Sequence, residues 1–418
     1  MVDTELGLLP KDWKLQPLGD LLYIKGRIGW KGLKKSEYLD KGYAIINGEQ
    51  IKNDEVNWSS VGRIPKERYL ESPEIMLKKD DILMTKDGTI GKIAYVNELP
   101  EEATVASGVF VIRRNSQLLN QKYLYNFFSS HYFKWLIKSR VEGSVIPHLY
   151  QRDFQEMLIP LPSYDEQVEI AATLNSLSEK IKLLQQQNTT LETIAQTIFK
   201  EWFGKYQLGD KLPDGWRVGK LGDLIEKTID NRGKTPPLSS DESHLMLETY
   251  QMSAKTPFPN FAQHNKKKYV SSDLYSNWFR SGHPKYLDIL FATVGNGIPN
   301  WCFMPKNNDQ YCIAQNLVAF RAKSDISGVY LKYFFDTRNF KSLCNGIIIT
   351  TAQPSIKLSH LRLLDIIIPK QELISTFNST IEPMVDLIYN NAVQIQSLTK
   401  TRDTLLPKLM SGQVRVEI

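Results

Sequence analysis

The residues of this chain whose types and spacing could do chemistry are cations set among glycines, amides and aromatics. Lys25-Gly26-Arg27 with Trp30-Lys31 and Lys34-Lys35 forms one such group, and Lys86-Asp87-Gly88-Thr89-Ile90-Gly91-Lys92 forms another. Further along come Asn231-Arg232-Gly233-Lys234-Thr235, Lys266-Lys267-Lys268-Tyr269, Gln315-Asn316 and Gln353. Glycine lets backbone approach a phosphate closely, Lys and Arg neutralise it, and the ends of Asn, Gln and Arg can read base edges. The pattern points to binding a polyanion rather than to bond-making.

Signatures of bond-making are missing. There is no GxxxxGK[ST] phosphate loop, and Gly295-Asn296-Gly297 lacks the third glycine of a dinucleotide fingerprint. The adjacent prolines Pro236-Pro237 follow Thr235 and precede Leu238, which is not the Asn/Asp-Pro-Pro-aromatic turn of amino-methyltransferases. Paired carboxylates such as Asp80-Asp81, Glu101-Glu102 and Asp165-Glu166 point apart on an extended backbone and read as solvated surface. Cys302, Cys312 and Cys344 form no CxxC pair, and no histidine stands at metal-ligand spacing from a Cys or another His. The chain reads as non-catalytic, with no cofactor and no metal.

The elements that must position these groups occur twice. Leu9-Pro10-Lys11-Asp12-Trp13 and Leu18-Gly19-Asp20-Leu21 return as Leu212-Pro213-Asp214-Gly215-Trp216 and Leu221-Gly222-Asp223-Leu224. Asp81-Ile82-Leu83 with Gly88 returns as Asp288-Ile289-Leu290 with Gly295. Tyr123-Leu124, Phe127-Phe128 and Phe133-Lys134 return as Tyr330-Leu331, Phe334-Phe335 and Phe340-Lys341, and Pro147 and Pro162 as Pro354 and Pro369. Four blocks in one order, each recurring roughly 200 residues on, mark a tandem duplication.

Each copy has one grammar. Short period-2 apolar runs predict strands over Asp81–Thr85 and Ala106–Arg113, and over Ile289–Val294 and Ile313–Arg321. A helix is expected over Gln121–Ser139 and over Val329–Leu343, then a Pro-bounded strand over Met157–Leu161 and over Leu364–Ile368. A long helix closes each copy. In Glu166–Phe203 the apolar residues Ile170, Leu174, Leu177, Ile181, Leu184, Leu191, Ala195 and Ile198 recur in alternating steps of four and three, with Asn188 in the one remaining slot. Such a stripe needs a partner helix, and the rod would be on the order of 50 Å long. The second helix carries Phe377, Ile381, Met384, Ile388, Ile395, Leu398, Leu405 and Leu409, and Pro383 would kink it or mark its start. Asn391 stands where Asn188 stands, so the two helices are expected to pack on each other.

Composition bounds the class. With 418 residues, 42% hydrophobic and 23% charged, the chain should fold as two or three domains. A net charge of +6 leans toward polyanionic partners. The N-terminus shows no signal peptide, no apolar run approaches the ~20 residues of a membrane span, and three cysteines fit a reducing cytoplasm.

With LPxxW and LGDL opening each half, DDILMTKDGTIGKIAYV, the Gly143-Ser144 to Pro147-His148-Leu149 turn, and IPLPSYDEQVEIAATLNSL leading into the long helix, the sequence resembles the specificity subunit of type I restriction-modification systems. The resemblance spans essentially the whole chain; the second copy departs at Ile368-Pro369-Lys370-Gln371-Glu372. It implies an α+β fold of two pseudo-symmetric target recognition domains, residues 1–158 and 208–365, separated by antiparallel helical spacers at 159–207 and 366–418. Each domain would read half of a split, asymmetric sequence in double-stranded DNA. The helices would dock two methyltransferase subunits, with restriction or motor subunits joining through the complex. Adenine methylation and ATP-dependent cleavage would belong to those partners. Phosphate contacts are then expected at Lys31, Lys86, Lys92 and Arg114 in the first half and at Arg232, Lys234, Lys267 and Arg321 in the second. Base or groove contacts are expected at Arg27, Thr89, His148, Asn231, Asn296 and Gln353. The helix seam is expected to comprise Leu174, Leu177, Ile181, Leu184, Asn188 and Leu191 with Asn391, Ile395 and Leu398. Groove faces recur about every 34–36 Å, so a rod of the expected length could space two readers.

Two other readings fit parts of the sequence. A stand-alone DNA methyltransferase or nuclease would turn over without partners. A coiled-coil scaffold with duplicated protein-binding domains would show no salt-dependent affinity for DNA.

Overall fold

The computed structural model describes the chain apart from residues 5–6, 29–31, 142–147, 232, 234, 253–255, 261–266, 296, 307–309, 350–352 and 418. It divides into two compact units, one formed by Met1–Glu179 with Lys400–Ile418 and the other by Lys180–Thr399. The units share one topology, as the internal repeat requires.

In the first unit a four-stranded antiparallel sheet runs in the order Ile93–Tyr95, Ile82–Thr85, Val109–Arg114, Leu22–Gly26. A three-stranded sheet places Tyr43–Ile46 between Ala103–Val105, parallel to it, and Gly62–Ile64, antiparallel. In the second unit the corresponding orders are Asn300–Phe303, Ile289–Ala292, Leu317–Ala322, Ile225–Ile229, and Tyr311–Ile313, His244–Leu247, Lys268–Val270. A short ribbon ties a strand near the start of each copy to its last, Lys14–Pro17 to Leu158–Leu161 and Arg217–Lys220 to Asp365–Ile368.

The strand Ile82–Thr85 is buried along its whole length, as is Ile289–Ala292. Alternation explains this. Ile82 and Met84 face a cluster with Phe110, Ile112, Tyr123 and Phe127, while Leu83 faces Ala44, Ile46, Val105 and Val111 of the second sheet. A strand with both faces covered reads as a continuous apolar run, which is how Ile82-Leu83-Met84 looks in the sequence.

The helix expected over Gln121–Ser139 is two helices, Gln121–Ser129 and His131–Val141. Ser130 adopts extended backbone, and its hydroxyl accepts from the Phe133 amide at 3.2 Å, so one helix stops and another is capped within a residue. The second copy breaks in the same way: Ser327–Phe335 gives way to Arg338–Gly346 through Thr337, whose hydroxyl accepts from the Phe340 amide at 3.2 Å. The strand expected over Ile313–Arg321 is likewise divided, into Tyr311–Ile313 and Leu317–Ala322.

The two long helices are Tyr164–Phe203 and Gln371–Met410. The second runs through Pro383, which therefore does not mark its start; burial of Phe377, Ile381, Val385 and Ile388 around that point outweighs the loss of one backbone donor. In the second unit Phe199 and Phe203 meet Phe377 edge-on while Asn188 lies by Ile388 and Asn391, so the helices run antiparallel there. Asn391 Nδ2 donates to Asn188 Oδ1 at 2.8 Å and to Gln187 Oε1 at 3.0 Å, and Asn188 Nδ2 donates to the Ile388 carbonyl at 3.4 Å. Ile181, Leu184 and Asn391 are buried, whereas Leu191, Ile395 and Leu398 are partly so. In the first unit Ile170, Ala171 and Leu174 join one cluster with Leu409 and Met410, and Leu177 is half-buried.

The chain's last residues belong to this first core. Arg415 bridges Asp12, at 2.9 Å, and the buried Glu166, whose other proton donor is Trp13 Nε1 at 3.1 Å. These two carboxylates hold the Arg415 charge well above its ordinary proton affinity, and Arg415 in turn holds the Asp12 carboxyl below the usual range.

Asn391→Leu should leave the Asn188 carbonyl oxygen without its donor on a half-buried seam and cost about 1–3 kcal/mol. Asn188→Leu with Asn391→Leu should recover most of that loss, because both polar partners go together. Chemical denaturation of the two single variants and the double variant measures the coupling.

Candidate nucleic-acid interface

Strand Ile82–Thr85 ends in the loop that carries the Lys-Asp-Gly-Thr motif, and three backbone bonds fix where the loop goes. The Lys86 amide donates to the Gly108 carbonyl at 2.9 Å, the Leu149 amide donates to the Lys86 carbonyl at 3.0 Å, and Asp87 bridges His148 antiparallel. Gly88, at φ 66°, takes the left-handed turn that follows. Thr85 Oγ1 donates to the Thr89 carbonyl at 2.5 Å and accepts from the Lys92 amide at 2.9 Å, so the loop is internally braced.

The second unit builds the same frame from other side chains. The Thr293 amide donates to the Asn316 carbonyl at 3.1 Å, the Ile356 amide donates to the Thr293 carbonyl at 2.9 Å, and Val294 bridges Ser355. Gly295, at φ 116°, stands where Gly88 stands. By this register Lys86 is replaced by Thr293, Asp87 by Val294, His148 by Ser355, Tyr150 by Lys357 and Arg152 by Ser359. The backbone is held constant and the chemistry is changed.

In the first frame the side chains form a cationic and aromatic surface. His148 Nδ1 is paired with Asp87, and its ring lies 4.4 Å from that of Tyr150. The Arg152 guanidinium lies 4.9 Å from the Tyr150 ring centroid, and Tyr150 itself is 49% exposed. Lys86 Nζ lies 5.1 Å over the Phe110 ring, and Lys92 Nζ points to the Gly48 carbonyl at 3.5 Å. Thr89 and Lys92 are exposed, and Lys86 is half-exposed. Among the described residues none of these contacts of Lys86, Lys92 or Arg152 is a carboxylate. Tyr150 and Arg152 were not among the residues expected from sequence; their alternation with His148 in His148-Leu149-Tyr150-Gln151-Arg152 is the signal that could have found them.

Several expected contacts have other duties. Arg27 is 1% exposed: Nε donates to the Val105 carbonyl at 3.3 Å, and the guanidinium reaches the Arg68 carbonyl and Glu71. Burial, followed by repulsion from Arg68, lowers its affinity for its proton. A side chain so enclosed does not present itself to a groove, and the base contact expected at Arg27 is corrected accordingly. Arg321 forms a bidentate pair with the buried Asp288, at 3.1 and 2.7 Å, while the Lys285 amide donates to the same carboxylate at 2.7 Å. Arg113, Asp81 and the Lys78 amide repeat that arrangement in the first unit. Burial raises the Asp288 carboxyl although Arg321 works against it. Arg321 is thus a clamp shared by both copies, not a phosphate contact. Asn231 spends both ends of its amide on the turn beside it, donating to the Gly282 carbonyl at 3.1 Å and accepting from the Ser281 amide at 2.9 Å.

Arg114 is exposed but leans on the Leu119 carbonyl and the Tyr164 hydroxyl. Lys267 and Gln353 are exposed. Lys31, Arg232, Lys234 and Asn296 lie outside the described residues. The net charge of +6 falls entirely in the second unit, and the first is neutral overall, so its cationic loop surface is a local arrangement. The three cysteines are free and buried, and burial pushes the Cys312 and Cys344 thiols up to about 12. Among the described residues no group of His, Cys, Asp and Glu is arranged to hold a metal, and no helix is long and apolar enough to cross a membrane.

Residues 10–193 match the family described as type I restriction modification DNA specificity domain. The MjaIX specificity subunit of Methanocaldococcus jannaschii is 27% identical over 99% of this chain and 96% of its own length. The HindI specificity subunit of Haemophilus influenzae is 23% identical over 96% of this chain and its full length. In fold the chain is similar to the crystal structure of the type I restriction-modification S subunit from M. genitalium, with a TM-score of 0.62 over 97% of this chain and 96% of that one at 17% identity.

Arg321→Ala should strand the buried Asp288 carboxylate and destabilise the second unit by about 3–5 kcal/mol. Arg113→Ala should do the same to the first. Thermal unfolding measures both, and a phosphate-contact role would instead leave the melting temperatures unchanged.

Proposed function

We propose that this chain, whose residues 10–193 match the type I restriction modification DNA specificity domain, is a specificity subunit of that kind and reads a two-part, asymmetric DNA target, one part through each unit. The observation that carries the reading is the frame built twice on one backbone plan and furnished with different side chains. A symmetric pair of readers would select a palindrome; two unlike readers select unlike half-sites.

The division of labour follows from the chemistry of these loops. The loops offer donors and cations for phosphates and base edges. Recognition is this chain's part, and modification belongs to methyltransferase subunits that it positions. The long helices are the proposed dock. In the second unit Leu183 and Ile194 on the first helix, and Leu387 and Val393 on the second, are large apolar side chains left exposed beside the seam. The proposed reading surfaces correspond to residues 1–158 and 208–365, and the helical spacers to 159–207 and 366–418. Lys86, Lys92 and Thr89 are the proposed DNA contacts of the first unit, with His148 beside them, and Lys267 and Gln353 those of the second.

Methylation mapping of the genome with and without this gene tests the reading: one split, asymmetric motif should lose its methylation when the gene is deleted. Persistence of every methylated motif would overturn it. In binding assays Lys92→Gln should reduce the slope of log affinity against log salt by about one, one phosphate for the one cation removed, with little change in melting temperature.

A further inference from the structure

We propose that the surface made by Lys86, His148, Tyr150 and Arg152 is a guanine-reading contact, so that the half-site read by the first unit holds a guanine whose recognition passes through Arg152. The proposal rests on the DNA-reading function and adds which base is read, and by what.

Three features of the surface lead there. The first is its polarity. Arg152 and Lys86 are donors only, with no carboxylate among their described contacts. The one acidic group of the loop, Asp87, is occupied by His148. Such a pair of donor-only cations complements an acceptor-only edge. In the major groove guanine presents two adjacent acceptors, O6 and N7, whereas adenine pairs its N7 with a donor and cytosine presents a donor.

The second feature is stiffness. A free arginine side chain loses rotamer entropy when it docks, and stacking its flat guanidinium on an aromatic ring removes part of that loss beforehand. Arg152 is held over Tyr150, whose ring also meets that of His148, itself paired with Asp87. The series rests on firm ground: the short turn Gln151–Phe154 is closed by the Asp153 carboxylate accepting from the Tyr150 amide at 2.6 Å, and the buried Phe154 meets Phe110 edge-on at 6.0 Å, beneath Lys86.

The third is the contrast inside the molecule. The same register in the second unit carries Thr293, Val294, Ser355, Lys357 and Ser359. No arginine and no aromatic ring stands there, so the second unit does not read a base by this device.

The test uses the full-length chain and a duplex holding the target found by methylation mapping. Each guanine is replaced in turn, and affinities are compared for the wild type, Arg152→Gln, Lys86→Gln and, in the second unit, Lys357→Gln. For the wild type, replacing one guanine in one half-site should weaken binding roughly 5- to 100-fold, the discrimination of a bidentate contact. Arg152→Gln should abolish that preference and leave the preferences of the other half-site intact, Lys86→Gln should reduce it, and Lys357→Gln should not alter it. An equal loss on every duplex would make these cations phosphate contacts and overturn the proposal. So would an unchanged guanine preference in Arg152→Gln. If the wild type bound all duplexes alike, the DNA-reading function itself would fail, and this contact with it.

Discussion

A helix whose apolar side chains form only a narrow stripe gains little by folding alone, and that limit shapes this whole chain. Within the first unit the core is closed by Leu409 and Met410, from the end of the second long helix. Within the second unit it is closed by Ala195, Phe199 and Phe203, from the end of the first. Each copy of the repeat therefore lends the last turns of its helix to the other copy's core. The polar contacts follow the same exchange. Glu192 of the first helix accepts from Lys332 and from the Tyr333 hydroxyl of the second copy, and Arg415 after the second helix meets Glu166 and Asp12 of the first.

Burying those charges is tolerable only because each is matched. Lys332 is 4% exposed and would lose its proton if burial acted alone, yet Glu192 and Asp336 hold its affinity above the ordinary value. The Asp81–Arg113 and Asp288–Arg321 clamps obey the same rule, each adding a backbone amide to the carboxylate. These pairs sit at the start of the fully buried strand in each unit. They fix that strand in place, and with it the loop that leaves its far end.

How much of this was legible in the sequence depended on range. The duplication showed because strands buried on both faces tolerate few residues, so Asp81-Ile82-Leu83 and Asp288-Ile289-Leu290 stay alike. The long helices showed because their period persists over ten turns, and Asn188 and Asn391 marked the seam that they share. The helix breaks did not show: Ser130 and Thr337 are single polar residues in aromatic-rich runs, and a cap overrides propensity only through its local hydrogen bond. The candidate site was legible as loops and illegible as side chains. Arg27 and Arg152 look alike in sequence, each beside a cation or an aromatic. Carbonyls of Val105 and Arg68, distant along the chain, draw Arg27 inward, while Tyr150 holds Arg152 at the surface.

That distinction also explains how one fold can serve two targets. A reading loop must be placed firmly by the scaffold, yet its side chains must be free to differ, and these demands conflict if the same residues meet both. Here they are separated. Placement is done by main-chain bonds, Lys86 to Gly108 and Leu149 to Lys86 in one unit, Thr293 to Asn316 and Ile356 to Thr293 in the other, none of which depends on side-chain identity. Backbone amides and carbonyls are the same at every residue except proline, so the loops can exchange lysine for threonine, or histidine for serine, without moving. Asn316, on the same principle, replaces Gly108 as acceptor with no change in the bond. Divergence of the side chains, on a frame that does not register it, is what gives the two units different surfaces.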